Sequence, residues 1–212
     1  HINHKRVQRI MHDLKLFGKR PKEKYHSYKG EVGKVAGNII QRNFKADRPL
    51  QKWTTDVTQF HFSWGKCYLS PILDMNTNEI ISYDLSMIPN LNQIKRMLNR
   101  AFKKFRNLQG LIMHSDQGWQ YQHEYYRSEL KKHGIIQSMS RKGNCYDNSI
   151  METFFGRMKN EMYYGSEKEY TSFKVFAKAV KEYIHYFNKE RIQKKTKWMP
   201  PEIYRETSTN AI

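Results

Sequence analysis

The sequence predicts an α/β domain: a mixed sheet with helices on both faces. Three observations carry this. Three strand-like stretches follow one another between residues 51 and 86, helix and strand patterns alternate from 91 to 138, and two long helical patterns close the chain at 149–164 and 172–188. Adjacent strands joined by short turns run antiparallel, whereas strands reached through a helix run parallel, so one sheet holds both kinds. With 212 residues, such a fold buries roughly 70% of its unfolded surface and needs neither disulfide nor structural metal. A mean hydropathy of −0.88 with 27% charged residues leans towards disorder. Fourteen Tyr, eleven Phe and four Trp pull the other way, since a solvated tail has no use for so many rings.

The elements follow in order. Val7, Ile10, Met11, Leu14 and Phe17 recur at helical spacing until Gly18, with Lys5, Arg6, Arg9 and Lys15 on the remaining surface. This is a short basic amphipathic helix with nothing before it to pack against. Residues 18–45 are basic and turn-rich and read as a linker. The stretch 51–63, QKWTTDVTQFHFS, alternates Trp, Thr, Val and Phe with polar residues and reads as one strand. Residues 66–73 and 79–86 form the next two, parted by Trp64-Gly65 and by the turn at 74–78. Leu91, Ile94, Leu98, Ala101, Phe102 and Phe105 mark a helix, 111–114 a short strand, 123–132 a helix ended by Gly134, and 135–138 another strand.

The 38 Lys and Arg against 20 Asp and Glu leave a net charge of +18. That excess suits a polyanionic partner, because neutralised phosphates release condensed counterions. It is uneven: residues 1–50 hold thirteen basic and four acidic residues, half of the whole excess. A merely solvated, self-repelling surface is the plainer alternative. Cys67 and Cys145 are the two cysteines, with no CxxC, which suits a reducing cytosol and excludes a disulfide framework. The absence of a long apolar run and of a leader-like start points to a cytoplasmic protein with no membrane partner. A chain beginning at His1 is expected to be a fragment.

Asp56 lies mid-way along the first strand, Asp116 directly follows the fourth, and Glu152 falls in the first turn of the helix after N-C-Y-D-N. If strands one and four are neighbours, the two aspartates share a pocket at the sheet edge, and the later helix carries Glu152 across it. Phosphodiester chemistry calls for such a set. Two Mg²⁺ ions about 4 Å apart activate the nucleophile and neutralise the leaving oxygen, and Mg²⁺ takes a few hard carboxylates while keeping water. Each residue also has a dull reading. Asp56 suits a hydrogen-bonded strand position, Asp116 a turn, and Glu152 the far end of a capping box begun by Ser149. Among twenty acidic residues, spacing alone does not single out this triplet.

Context does. W-T-T-D-V-T, H-S-D-Q-G-W-Q-Y and S-R-K-G-N-C-Y-D-N-S-I-M-E-T-F-F-G-R-M-K-N-E closely resemble the three catalytic boxes of DDE transposases of the retroviral-integrase superfamily, in particular the insertion-sequence OrfB type. Thirty-five residues separate Asp116 from Glu152, as in the family's D,D(35)E pattern, and the resemblance runs from about Asn3 to Tyr204. It implies a ribonuclease-H-like catalytic core over 46–205, preceded by a truncated helix-turn-helix at 1–17 and the basic linker at 18–45. It implies that Asp56, Asp116 and Glu152 are the catalytic residues and ligands of two Mg²⁺ ions, with Mn²⁺ able to substitute. The implied reaction is cleavage of insertion-sequence ends to a 3′-OH, then strand transfer by that 3′-OH without a covalent protein intermediate.

Further implications are finer. Lys159, seven residues and nearly two helical turns beyond Glu152, shares its face and matches a basic family residue that contacts terminal DNA. Arg141 and Lys142 in the preceding loop, and Lys194 and Lys195 in the C-terminal basic run, are candidate DNA contacts. An ordinary solvated surface is the alternative for each. Tyr183, Tyr186 and Phe187 read as core rather than stacking platforms, and His114 and Cys145 as packing residues. Implied partners are double-stranded DNA (element ends and target), further copies of the chain on paired ends, and a companion helix-turn-helix product, all at the bacterial nucleoid. The competing readings are a catalytically inactive DNA-binding remnant and a ribonuclease-H-type nuclease.

Overall fold

The computed structural model describes residues 3–17 and 34–209. Its centre is a six-stranded mixed sheet: β1 (Lys52–Thr55), β2 (Thr58–Phe62), β3 (Gly65–Asp74), β4 (Ile80–Ser86), β5 (Ile112–Ser115) and β6 (Ile136–Met139). β4 and β3 pair antiparallel, β3 pairs antiparallel with both β1 and β2, and β1, β5 and β6 run parallel. The mixed sheet expected from the element order is therefore present.

The single strand expected at 51–63 is interrupted. β1 and β2 lie on the same side of β3 in one continuous register, with Thr55 opposite Ile72 and Thr58 opposite Leu69. The gap falls at Asp56 and Val57, across from Ser70 and Pro71. Pro71 has no N–H to give the ladder. Asp56 thus stands at the end of β1 rather than mid-strand.

Helices cover both faces. On one, α2 (Leu91–Lys104) and α4 (Glu124–Lys132) pack Ile94, Met97, Leu98, Ala101, Tyr126 and Leu130 against Trp53, Ile72 and Met113. On the other, α5 (Ser149–Met162) and α6 (Phe173–Lys189) pack Met151, Phe154, Met158, Phe176, Val180 and Phe187 on Phe60, Cys67, Leu69 and Leu73. Tyr183 and Phe187 are core as expected, while Tyr186 is exposed. The helical turn α3 (Trp119–Gln122) and the C-terminal helix α7 (Pro201–Thr209) are additions to the elements read from sequence. Pro201 opens α7 at its first position, where a missing N–H costs nothing. The N-terminal helix α1 (His4–Asp13) buries none of its residues.

Residues 34–45, within the stretch expected as linker, are packed on the domain, whereas 18–33 lie outside the described residues. Ile39 N donates to Ser138 Oγ at 3.0 Å and Met139 N to Gly37 O at 3.2 Å. Ile40 is only 2% exposed and packs with Ala46 and Met75. The Ser138 and Met139 partners lie about a hundred residues away in sequence, beyond the reach of local pattern.

Candidate active site

The parallel pairing of β1 with β5 sets the site. Lys52 stands opposite Ile112 and Thr54 opposite His114, and that register places Asp56 level with Asp116 just beyond the C-terminal ends of both strands. Each is fastened by backbone. Val57 N donates to Asp56 Oδ1 at 2.7 Å, and Gly118 N donates to Asp116 Oδ1 at 2.9 Å. Glu152 comes from the first turn of α5, as expected.

Three anchors hold the turn Cys145–Asn148 that leads into α5. Thr54 Oγ1 in β1 donates to Asn148 Oδ1 at 2.8 Å. His114 Nε2, in the strand that ends before Asp116, bonds the Asp147 carbonyl at 2.8 Å, and its Nδ1 lies 2.9 Å from Ser138 Oγ. A carbonyl only accepts, so Nε2 carries the proton; the Ser138 hydroxyl then donates to Nδ1 while accepting from Ile39 N. Burial pushes the His114 pKa below its ordinary value, consistent with this neutral form. Finally, the Asp147 carboxylate takes Arg141 Nε at 2.9 Å, Arg42 Nε at 2.8 Å and Asn38 Nδ2 at 3.0 Å. The two guanidinium groups hold its pKa far below the carboxylate range.

The capping box is not formed. Ser149 already has helical angles, φ −58° and ψ −25°, whereas a capping residue is extended. Asn148 takes the cap position without a side-chain bond to the helix. Glu152 is exposed, and no hydrogen bond holds its carboxylate among the described residues.

The electrostatics are those of uncompensated negative charge. Burial first, then the Asp116 and Glu152 charges, raise the Asp56 pKa well above its ordinary value, against the Val57 hydrogen bond and the nearby Asn148 amide. Burial raises Asp116 and, less completely enclosed, Glu152. Among the described residues none of the three has a salt-bridge partner. All are hard oxygen donors, and their mutual repulsion is what a divalent cation relieves, so the set fits Mg²⁺. As the side chains stand, no three His, Cys, Asp or Glu among the described residues enclose an ion.

The remaining candidates divide. Lys159 is half-buried, its Nζ 5.2 Å from the Phe60 ring centroid, and burial lowers its pKa while the Asp56 charge raises it. It therefore faces the acidic pocket. Arg141 is engaged by Asp147, while Lys142 and Lys194 are exposed. The Lys195 ammonium turns inward, onto Met75 O at 2.5 Å and Asn78 Oδ1 at 2.9 Å. Its pKa is lowered by burial, and it ties the C-terminal run to the β3–β4 turn. Sequence reading passed over Thr54, Arg42, Asp147 and Asn148. Asn148 is 5% exposed, and its amide nitrogen lacks a hydrogen-bond partner among the described residues while lying near enough to lower the Asp56 pKa. The signal was present: Asp147 and Asn148 stand inside the third box.

Comparison with known proteins gives the class first. The chain superposes on the HTLV-2 integrase catalytic core domain in complex with magnesium with a TM-score of 0.60, at 14% identity, over 76% of this chain and 99% of that one. The BIV integrase catalytic core gives 0.53 at 18% identity over 76% and 97%. The fold is that of integrase catalytic cores, ribonuclease-H-like. Two family models described as integrase core domain match residues 46–145 and 152–208. An uncharacterized transposase-like protein of Haemophilus influenzae is 54% identical over 209 residues, covering 99% of this chain and 95% of that protein. The putative transposase InsK for insertion sequence element IS150 of Escherichia coli is 50% identical over 204 residues, covering 96% and 71%. The chain belongs to the insertion-sequence transposases of the retroviral-integrase superfamily.

Proposed function

We propose that this chain cuts the ends of an insertion sequence and joins them to target DNA, with Asp56, Asp116 and Glu152 as ligands of two Mg²⁺ ions. The observation that carries the reading is the level placement of Asp56 and Asp116 at the ends of paired parallel strands, with Glu152 within electrostatic reach of Asp56. Bound there, Mg²⁺ would activate an oxygen nucleophile and neutralise the leaving oxygen. The chain's own groups supply the rest. The Val57 and Gly118 amides orient the two aspartates. The Asn148 amide, pinned by Thr54, steadies Asp56 from the side. Lys159 brings positive charge to the pocket wall, where a DNA phosphate would meet it. Lys142, Lys194 and Arg141 extend that charge over the surface, with Lys195 bracing the segment that carries it.

The similar HTLV-2 catalytic core is in complex with magnesium, and a similar chain belongs to a simian T-cell lymphotropic virus intasome. Carried over as a proposal, these favour divalent metal and several copies of the chain on paired DNA ends. The relatives named above come from bacteria, and we place the reaction on bacterial DNA in the cytoplasm. Among the described residues no helix is long and apolar enough to cross a membrane.

The test is a Mg²⁺-dependent assay on a labelled terminal duplex. Wild type should release a shortened strand ending in 3′-OH and join it to a second duplex. Glu152→Gln should bind the duplex and do neither. Turnover of that variant at the wild-type level would remove Glu152 from the metal site, and an inert wild type would favour a DNA-binding remnant.

A further inference from the structure

We propose, on the reading that the substrate is DNA, that Arg42, Arg141 and Tyr146 form a nucleotide-binding subsite on the rim of the acidic pocket. It takes one backbone phosphate and stacks one unpaired base next to it. Neither Arg42 nor Tyr146 was singled out by the sequence.

The geometry is that of a built surface. The Asp147 side chain is fully enclosed, and two guanidinium groups close over it, so one negative charge orients two positive ones. Arg42 uses Nε on Asp147 and Nη2 on Asn144 Oδ1 at 3.2 Å; Arg141 uses Nε and Nη2 on Asp147. A guanidinium carries five N–H donors, so each fork keeps donors to spare, and the side chains remain 48% and 60% exposed. Planar forks fixed in this way suit a phosphate better than free lysines, because little freedom is left to lose on binding.

Tyr146 lies five residues beyond Arg141 in the same loop and is 70% exposed, although its neighbours Asp147 and Asn148 are buried. The Arg42 guanidinium carbon lies 5.8 Å from its ring centroid, a cation–π contact that steadies the ring without covering it. Tyr146 is two residues before Asn148, whose side chain touches β1 beside Asp56. Two residues span at most about 7 Å, roughly two base steps at about 3.4 Å each. The ring is therefore placed to receive a base one or two nucleotides from the phosphate held by the pocket. Stacking accepts any base, so this subsite favours frayed ends over particular sequences.

The experiment uses the full chain and a forked duplex bearing 2-aminopurine at successive unpaired positions, with affinity measured across a salt series. Wild type should quench the probe at one or two adjacent positions. Tyr146→Phe should match it. Tyr146→Ala should lose the quench and bind about tenfold more weakly, with an unchanged salt slope and thermal midpoint, since the ring is mostly exposed. Arg42→Gln should flatten the slope by about 0.7 to 0.9. Wild-type quenching and affinity in Tyr146→Ala would overturn the subsite while leaving the DNA reading intact. Failure of wild type to bind the fork would overturn both.

Discussion

Glu79, Asp84 and Asp147 form one set of carboxylates, enclosed in the fold, and the half-buried Asp56 and Asp116 with the exposed Glu152 form another. The first set is clamped. Glu79 meets Lys104 and Arg205, each at 2.6 Å; Asp84 meets Arg96 at 2.7 Å and Arg100 at 2.9 Å; Asp147 meets Arg42 and Arg141. The second set stands without a salt-bridge partner among the described residues, and its pKa values are raised, whereas that of Asp147 is lowered. In a chain with an excess of eighteen positive charges, partners for three more acids were plentiful. Leaving charges unpaired in a pocket costs folding energy and marks where a cation from outside is wanted. The comparison separates acids that hold the fold from the three that we propose as metal ligands.

The largest effect expected from this division is on chemistry. Asp56→Asn should abolish cleavage and joining by orders of magnitude and at the same time raise the thermal midpoint of metal-free protein near neutral pH. The sign follows from the raised folded pKa: ionised Asp56 disfavours the folded state above its unfolded pKa, and the amide removes that cost. A lowered midpoint in this variant would return Asp56 to the structural set.

Glu79→Gln should do the reverse. Full activity per folded molecule is expected, with stability lower by about 3 kcal/mol because two cations lose a buried partner. That corresponds to a midpoint lower by about 6–12 °C for a chain of this size, readable by calorimetry.

Magnesium should raise the midpoint of wild type by an amount that grows with concentration, about 2.7 kcal/mol at a hundredfold excess over the dissociation constant. Asp56→Asn and Asp116→Asn should respond weakly. An equal shift in both variants would mean that the ion binds elsewhere.

The smallest effect is a pH dependence at His114. Its folded pKa is depressed by burial, so its contribution is whole above the unfolded pKa of about 6.5 and is lost as pH falls from there through the folded value. Denaturant midpoints between about pH 7 and 5 should therefore decline more steeply for wild type than for His114→Asn. Parallel slopes would place the proton elsewhere.

Much of this was legible beforehand because it is written locally. The turn at 74–78 shows in its residue types: Asp74 Oδ1 accepts from the Asn76 and Thr77 amides at 2.9 and 3.0 Å, a short-range pattern. The α2, α5 and α6 faces follow from apolar spacing, and the three acidic boxes from their text. Local reading misled at Ser149, where capping-box letters sit on a residue already inside the helix. It also misled at Asp56, where a strand-like run is broken opposite Pro71, across the sheet.

The sequence by itself determined the kinds of element, their order, the basic excess and the text of the three acidic boxes, because each is written in composition or in residues close along the chain. Only the tertiary structure decided which acids are neutralised and which are left exposed to repulsion. It alone showed that Arg42 reaches Asp147 from 105 residues away, that Lys195 turns inward onto the Met75 carbonyl, and that Asn148 is pinned beside Asp56 by Thr54. The physical reason is range. Helix and strand patterns come from neighbours along the chain, whereas a side chain's partner is set by how the sheet register brings distant segments together, and no spacing in the text records that.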